Sequence, residues 1–212
     1  MTTVLTLSGY TAGVKARFAD KLDTALHGYA NRGGARRRIV DYPQNPAKNA
    51  IAAGIELLQQ HIVACVAAGD TIEIEAHSMG AEIVSGWLEQ YATQPDAPST
   101  DQLVRIILLG NPRRRFGGAW NSGELLTSFQ FGGTKRTPTP ISKYWTDDIA
   151  RVGDPWANSD AWSSMSKTTQ LRNRALRLLP LPSAHSNYDN VDPAAPGQLR
   201  SRLGNTAYWV AP

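Results

Sequence analysis

The sequence predicts an α/β protein in three layers, with a central, mainly parallel sheet of about five strands. Short apolar runs alternate along the chain with segments of helical periodicity, which is typical of βαβ units. The composition agrees, because 42% of the 212 residues are hydrophobic and 19% are charged. This balance excludes collagen-like, low-complexity and disordered chains. Since a chain of this length supports one core, we expect a single domain over residues 1–212.

The predicted elements follow in order from the N-terminus. Five runs have the composition of strands, at 3–7, 37–42, 71–76, 103–109 and 143–152. Four segments have helical spacing, at 14–29, 47–68, 81–91 and 158–179. The Gly/Thr/Pro-rich segment 113–140 is interpreted as surface loops or a hairpin at the sheet edge. Beyond the prolines at 180 and 182, a loop carries His185.

Charge limits the classes of binding partner, and cysteine content indicates the redox environment in which the chain folds. Lys and Arg exceed Asp and Glu by 22 to 18, and the net charge of +4 favours an anionic partner only weakly. The arginine runs 36–38 and 113–115 lack interleaved aromatics, so we interpret them as solvated strand or loop edges and expect no nucleic-acid partner. Cys65 is the single cysteine, so the fold forms without an intrachain disulfide, as suits a reducing cytosol.

The sequence carries no evident membrane or export signal. It has no run of about 18 consecutive apolar residues. Its N-terminus enters the first strand without a charged region followed by an apolar core. We therefore expect synthesis in the cytoplasm, no signal peptide and no transmembrane segment. We also expect a monomer.

A candidate nucleophile lies between the third strand and the helix that follows it, in Ala76-His-Ser-Met-Gly80. In a nucleophile elbow the serine occupies a sharp strand-to-helix turn, and small residues flank it because larger ones would strike neighbouring elements. Ala76 replaces the more common glycine and is nearly as small. We therefore predict Ser78 as the nucleophile. The alternative is an ordinary strand-to-helix turn with a serine N-cap.

Ser78 needs a histidine to accept its proton and a carboxylate to orient that histidine. In elbow-containing folds the chain order is Ser, acid, His, and of the four histidines His185 follows Ser78. His27 and His61 lie on predicted helices upstream. His77 adjoins the serine, and the alternation of a strand directs it away from the site. We therefore predict His185 as the general base.

The acid is expected at the carboxyl end of a strand that follows the nucleophile strand, because that edge of an open α/β sheet forms the site. Asp154 meets this condition, directly after the predicted strand 143–152. Asp148 lies within that strand and is the alternative acid. Alternatively, Asp154 has no catalytic role and forms only a turn with Pro155.

An oxyanion hole requires two donors aimed at the developing negative charge. The Met79 amide is the first candidate because it follows the nucleophile. The loop after the first strand supplies the second, for which we predict the Tyr10 amide, with the hydroxyls of Ser8 and Thr11 as alternatives. The sequence has no metal-ligand cluster, phosphate-binding loop or dinucleotide fingerprint, so we expect neither a metal nor a cofactor.

Several motifs together resemble the cutinase-like α/β hydrolases, which are serine esterases. The motifs are Gly9-Tyr-Thr11, the elbow at Ser78, Leu108-Leu-Gly-Asn-Pro112, Val152-Gly-Asp-Pro-Trp156, and Ala184-His185 with Tyr188. The resemblance implies that the acid lies in the Gly-Asp pair and the base in the Ala-His pair. Within this superfamily, Gly110-Asn-Pro-Arg-Arg114 looks most like lysin B, a phage esterase that cleaves the ester between mycolic acids and arabinogalactan.

The sequence also departs from secreted cutinases. Their disulfides and signal peptide are absent, and Ala157 stands where their motif has a cysteine. The segment at about 156–182 corresponds to an insert common in lysin B enzymes, and is a candidate lid or substrate-binding insert. The apolar side chains of this segment are Trp156, Trp162, Met165 and Leu171. They either line an acyl groove or pack as a buried stripe on the sheet.

The resemblance implies a serine esterase for long-chain acyl esters, and more narrowly a phage lysin B that acts on the cell envelope at host lysis. Such an enzyme is made in the host cytoplasm, and its partner is an acyl ester or a cell-envelope glycolipid. One alternative is a general intracellular lipase, esterase or cutinase-like enzyme. Another is a catalytically silent hydrolase fold that binds cell-wall glycolipid.

Overall fold

Seven strands form one sheet in the computed structural model, which describes residues 1–10, 21–44, 49–121, 137–158, 166–178 and 184–212. The strands are β1 (Thr2–Leu7), β2 (Ala35–Ile39), β3 (Thr71–His77), β4 (Leu103–Leu109), β5 (Thr146–Arg151), β6 (Gln198–Leu203) and β7 (Thr206–Ala211). Their order is β2-β1-β3-β4-β5-β7-β6, and every pairing is parallel except β6 with β7. The predicted α/β class with a mainly parallel sheet is confirmed, but the described sheet has seven strands instead of about five.

The two strands that were not predicted form a hairpin. β6 and β7 are joined by Gly204 and Asn205, and Gly204 has a φ of +54°. β6 is rich in polar and charged residues and largely exposed, so its apolar pattern is weak. β7 pairs in parallel with β5 and in antiparallel fashion with β6, which places β6 at the edge of the sheet.

Four helices lie within the described residues: α1 (Ala25–Gly28), α2 (Ala50–Ala67), α3 (Met79–Tyr91) and α4 (Lys167–Leu178). α2 and α3 agree with the predicted segments, and α4 covers the second half of the predicted helix 158–179. The predicted helix 14–29 lies partly outside the described residues. The prediction is wrong for the described part of this segment, which forms a 3₁₀ turn and the short α1 instead of one long helix. Leu26 and His27 in α1 have positive φ.

α2 is long and apolar enough to cross a membrane by length and composition, with a mean hydropathy of 1.5. Its buried residues recur at the three- and four-residue spacing of one helix face. They are Ala50, Gly54, Ile55, Leu58, Ile62 and Cys65. This face belongs to the same hydrophobic cluster as α3 and the neighbouring strands. We therefore interpret α2 as a helix of the protein core.

Side-chain alternation along β4 divides the core between the two faces of the sheet. Ile106 and Leu108 join the cluster formed with α2 and α3. Ile107 and Leu109 join a second cluster, which includes residues of α1 and Tyr188. Burial of apolar surface contributes about 25 cal/mol per Å², so packing on both faces holds the central strands in place.

The carboxyl ends of β1, β3, β4 and β5 meet at one edge of the sheet, because these strands are parallel. Ligands bind at this edge in open α/β sheets. The loops that leave it carry the residues described next.

Candidate active site

Ser78 occupies the turn between β3 and α3. Its backbone has a φ of 55° and a ψ of −116°, a combination that non-glycine residues rarely adopt. The Ser78 amide donates a hydrogen bond of 2.9 Å to the Leu109 carbonyl, and the Glu82 amide donates one of 3.1 Å to the Ser78 carbonyl. β4 and the first turn of α3 therefore hold the strained residue, as in a nucleophile elbow.

The elbow leaves no room for larger neighbours. A Cβ on Gly80 would lie 2.1 Å from the carbonyl oxygen of Leu7 at the end of β1. Ala76, on the other side of the serine, is fully buried. A Cβ on Gly9 would lie 2.9 Å from the Cβ of Ser78, so the loop after β1 passes directly beside the predicted nucleophile.

Ser78, His185 and Asp154 form one hydrogen-bonded chain. His185 Nε2 lies 2.8 Å from Ser78 Oγ. His185 Nδ1 lies 3.0 Å from Oδ1 and 3.1 Å from Oδ2 of Asp154. The side chain of Asp154 is fully buried, and that of His185 is 12% exposed. The structure thus brings together the three residues selected from the sequence, in the order of nucleophile, base and orienting acid.

Asp154 is held as a carboxylate by several donors. Its Oδ1 accepts hydrogen bonds from the amides of Trp156 (2.8 Å) and Ala157 (3.1 Å), and its Oδ2 accepts one from the Tyr188 hydroxyl (2.7 Å). Burial acts to raise the pKa of Asp154, but its interactions with His185, Tyr188 and Trp156 outweigh burial and lower the pKa to about 2. Burial, followed by the Asp154 charge, raises the pKa of Tyr188, so its hydroxyl remains a donor.

Gly110 permits the close approach of Asp154 and His185. It has a φ of +58°, and a Cβ there would lie 2.9 Å from His185 Nδ1 and 3.1 Å from Asp154 Oδ2. The first residue of the Gly-Asn-Pro motif after β4 is therefore a glycine because a larger residue would collide with His185 and Asp154. Its second residue, Asn111, is fully buried.

Asp148, the alternative acid, has a different set of partners. Its Oδ1 lies 3.0 Å from Arg114 Nη1, and its Oδ2 accepts a hydrogen bond of 2.9 Å from the Asn111 side chain. Asp148 and Arg114 are both fully buried. Burial raises the pKa of Asp148, and Arg114 and Asn111 act against that rise. The geometry therefore favours Asp154 as the residue that orients His185.

The interpretation of run 113–115 as a solvated edge is wrong for its first two arginines. Arg113 is 4% exposed, and its guanidinium donates to the Thr137 carbonyl (2.7 Å) and to Glu89 (2.9 Å). Arg114 donates to the carbonyl of Trp209 at 2.9 Å. A guanidinium carries five donors, so these two side chains donate to acceptors on several neighbouring segments, which an apolar side chain could not do.

The first predicted oxyanion donor begins α3. Met79 is the first residue of that helix, where amides lack a partner within the helix. Tyr10 follows Gly9 in the loop beside Ser78, and its side chain is 45% exposed. The role of the Tyr10 amide stays a prediction, and Thr11 lies outside the described residues. Within the described ranges, no group of three or more His, Cys, Asp or Glu side chains is arranged to hold a metal ion.

The expectation that His77 points away from the site is wrong. His77 is buried, and its Nε2 lies 2.6 Å from the carbonyl oxygen of His185. The centroids of the two imidazole rings are 4.9 Å apart. Strand alternation fails as a guide here because β3 ends at His77 and the chain turns sharply at Ser78.

The sequence pattern of the PE-PPE domain matches residues 35–210, which include Ser78, Asp154 and His185. The chain belongs to the PE-PPE domain family. An uncharacterized PPE family protein of Mycobacterium tuberculosis, PPE63, is 28% identical over 154 residues, or 68% of the chain. The match covers 31% of that protein, so the chain spans about a third of the length of the curated relatives it matches.

Several solved structures are similar to this PE-PPE domain. A cutinase-like protein from Cryptococcus sp. is 16% identical with a TM-score of 0.50, over 84% of this chain and 90% of that one. An acetyl xylan esterase is 18% identical with a TM-score of 0.51, over 82% and 92%. Lysin B from Mycobacteriophage D29 is 15% identical with a TM-score of 0.49, over 85% and 82%. The first two structures show that the PE-PPE domain has the predicted cutinase-like α/β-hydrolase fold.

The insert predicted at about 156–182 is only partly described in this PE-PPE domain. The Trp156 ring centroid lies 6.0 Å from that of His185, so this side chain borders the triad. Leu171 is 68% exposed in α4, which excludes it from a buried stripe on the sheet. Trp162 and Met165 lie outside the described residues.

Two residues of the site had no role assigned from the sequence. In the sequence Tyr188 is recognisable only as part of the cutinase-like pattern. In the structure its hydroxyl donates a hydrogen bond to Asp154 and accepts one from the Arg151 amide. His77 was set aside by the strand rule. A polar residue adjacent to a nucleophile elbow is a signal that could have directed attention to it.

Proposed function

We propose that this PE-PPE domain is a serine esterase that hydrolyses acyl esters. The hydrogen-bonded chain from Ser78 through His185 to Asp154 carries this proposal. Its distances of 2.8 and 3.0 Å lie within the range of working nucleophile–base and base–acid pairs. The buried, ionised Asp154 matches the requirement for a fixed negative partner.

In the proposed reaction, His185 Nε2 accepts the Ser78 proton as Oγ attacks the ester carbonyl. Asp154 fixes the Nδ1–H tautomer of His185 and stabilises the imidazolium that forms. The amides of Met79 and Tyr10 bind the oxyanion. The imidazolium then gives its proton to the departing alcohol, which leaves an acyl-enzyme on Ser78. Water, deprotonated by His185, then attacks the acyl carbon, the bond to Ser78 Oγ breaks, and His185 returns the proton to Oγ as the carboxylic acid leaves.

We propose long-chain acyl esters as the substrate class. Trp156 borders His185, and Val152, two residues before the acid, is 59% exposed. Exposed apolar side chains near a catalytic centre suit the binding of an acyl chain, because burying them removes apolar surface from water.

The narrower proposal is a lysin B activity that cleaves the ester between mycolic acid and arabinogalactan. The motif Gly110-Asn-Pro-Arg-Arg114 supports it, and the mycobacterial source of the matched PPE protein is consistent with a substrate of mycobacterial envelopes. In this proposal the protein is a phage product made in the host cytoplasm, a monomer that acts on the envelope at lysis. A general lipase or esterase is the competing activity.

Hydrolysis of p-nitrophenyl butyrate and palmitate by the wild type, Ser78→Ala and Ser99→Ala tests the esterase. Ser99 is an exposed serine before β4, at the opposite edge of the sheet. We expect Ser78→Ala to lose activity by about 10³-fold or more, since the nucleophile is removed. Ser99→Ala should match the wild type. An inert wild type, or an active Ser78→Ala, would overturn the proposal.

The same proteins decide between the substrates. We expect the wild type to release free mycolic acids from purified mycolyl-arabinogalactan and Ser78→Ala to release none. Cleavage of p-nitrophenyl esters without release from the polymer would replace lysin B with a general esterase. Polymer binding without hydrolysis of any ester would indicate a catalytically silent glycolipid-binding protein.

A further inference from the structure

The imidazole of His77 joins the end of β3 to the loop that carries His185. Its Nε2 lies 2.6 Å from the carbonyl oxygen of His185, and His77 is 6% exposed. His185 lies in a short 3₁₀ turn, Ala184–Ser186, whose residues are all partly exposed. The contact therefore ties a surface loop to a buried strand of the sheet.

The chemistry of this contact fixes the tautomer of His77. A carbonyl oxygen only accepts, so Nε2 of His77 carries the hydrogen and donates it. Nδ1 is then the unprotonated nitrogen of the neutral ring. That atom is buried and has no hydrogen-bond partner in the part of the chain that the structure describes. A Cβ on Gly9 would lie 2.9 Å from it, so the loop after β1 covers this side of the ring.

The neutral state of His77 also suits its place beside the triad. Among the described residues, His185, Asp154, Tyr188 and Lys21 are the charged and titratable groups that face it. Burial, followed by the neighbouring His185, lowers the pKa of His77 to about 3. A neutral ring 4.9 Å from His185 adds no positive charge when His185 becomes an imidazolium. It can therefore support the His185 loop without opposing the catalytic step.

We propose that His77 is a positioning residue that holds His185 in line with Ser78 and Asp154 through its Nε2–H···O=C bond. This inference rests on the proposed esterase function. The bond acts on the backbone of His185, whereas Asp154 acts on its ring. The two contacts together restrain both the position and the rotation of the imidazole.

His77→Gln and His77→Asn test the proposal as a matched pair. Both replace the ring with an amide donor, but only the longer glutamine places its N–H near the position of Nε2. We expect kcat for p-nitrophenyl butyrate to fall about 10- to 100-fold in His77→Asn with little change in KM, because misplacement of a catalytic group by about 1 Å has this effect. His77→Gln should recover most of that loss. His77→Leu, which has no donor, should behave like His77→Asn.

The outcomes separate this inference from the proposed function. The positioning role would be overturned, and the esterase proposal left intact, if all three His77 variants were as active as the wild type while Ser78→Ala was inert. Equal losses in His77→Gln and His77→Asn, together with equal losses of thermal stability, would also overturn it, since that pattern indicates packing alone. If His77→Leu fails to fold, the comparison of His77→Gln with His77→Asn still decides the question.

Discussion

Ser78 holds backbone strain at the position of the proposed chemistry. A non-glycine residue in such a conformation costs about 1–3 kcal/mol, so it persists only where the surroundings fix it. The hydrogen bonds to Leu109 and Glu82 and the packing of α3 on the sheet supply that constraint. The resulting turn directs Oγ toward His185 rather than into the helix.

Asp154→Asn is expected to lower kcat strongly while leaving the fold intact. The asparagine amide is nearly isosteric, but its N–H₂ favours the wrong tautomer of His185 and removes the charge that stabilises the imidazolium. We predict a loss of about 10⁴-fold in kcat for p-nitrophenyl butyrate, as is typical of this change in a triad. Steady-state kinetics measure it.

Asp148→Asn is the matched control, because Asp148 pairs with the buried Arg114 instead of with His185. Removing one partner of a buried ion pair costs about 3–5 kcal/mol, so we expect a loss of stability in urea unfolding. The folded fraction should keep kcat within a few-fold of the wild type. If Asp148→Asn loses kcat and Asp154→Asn keeps it, the acid has been assigned to the wrong residue.

Some of these residues can be selected from the sequence because their positions follow from topology. Ser78, Asp154 and His185 were selected by chain order and by the strand ends from which they emerge, and the structure places them within hydrogen-bond distance of one another. His77 and Arg114 were misjudged because their surroundings depend on tertiary packing. Neither strand alternation nor charge content indicates which elements will cover a side chain.

At the level of elements, the site depends on how closely α3 crosses β1. Gly80, in the first turn of α3, faces the carbonyl of Leu7, and this contact has no space for a side-chain atom. The elbow, the end of β1 and the loop that begins at Ser8 are therefore fixed relative to one another. The two oxyanion donors predicted from the sequence come from two of these parts: the Met79 amide from the elbow and the Tyr10 amide from the loop.

Gly80→Ala is predicted to destabilise the protein and reduce activity together. Its Cβ would lie 2.1 Å from a backbone oxygen, so β1 or α3 must move, at a cost of about 1–3 kcal/mol. Thermal unfolding and kcat measure both effects. Gly86→Ala in the same helix is the control, because its Cβ would meet the flexible end of Ile55 and alanine favours the helix. Equal behaviour of the two variants would contradict this account of the elbow.

The strands and helices were predicted to the extent that their apolar patterns are strong. β4 has the predicted bounds because its apolar run is interrupted only by Arg105, and it is buried at most positions. β6 was not predicted because an exposed edge strand needs no apolar alternation. The segment around α1 departs from a helix because the amides of Leu26 and His27 bond the carbonyls of Tyr188 and Asp189, at 2.9 Å each. Such long-range partners have no local signature in the sequence.

In the whole molecule, the candidate active site is built from parts that are far apart in the chain. Ser78 and His185 are separated by 107 positions, and Asp154 and His185 by 31. Ser78 follows β3 and Asp154 follows β5, and these two strands are separated only by β4 in the centre of the sheet, so their alignment requires the packing of the central strands. Buried titratable groups at this site therefore couple the stability of the entire fold to pH.

His77 and Asp154 are two such groups, with folded pKa values of about 3 and about 2. Burial is the main cause for His77, while for Asp154 the interactions with His185, Tyr188 and Trp156 overcome the effect of burial. The ordinary values, 6.5 and 3.8, apply in the unfolded chain. Between the folded and unfolded pKa of each group, the unfolded state binds more protons than the folded state.

The free energy of unfolding should therefore fall as the pH is lowered from about 7 to about 4, with His77 as one source. A group whose folded pKa is depressed has its full effect on stability above its unfolded pKa, here 6.5, and that stability is lost as the pH falls toward the folded value of about 3. One proton gives a slope of at most about 1.4 kcal/mol per pH unit. Urea unfolding of the wild type and His77→Gln isolates this slope, because glutamine does not titrate. We expect the wild type to lose stability more steeply than His77→Gln, and parallel curves would show that His77 is not the source.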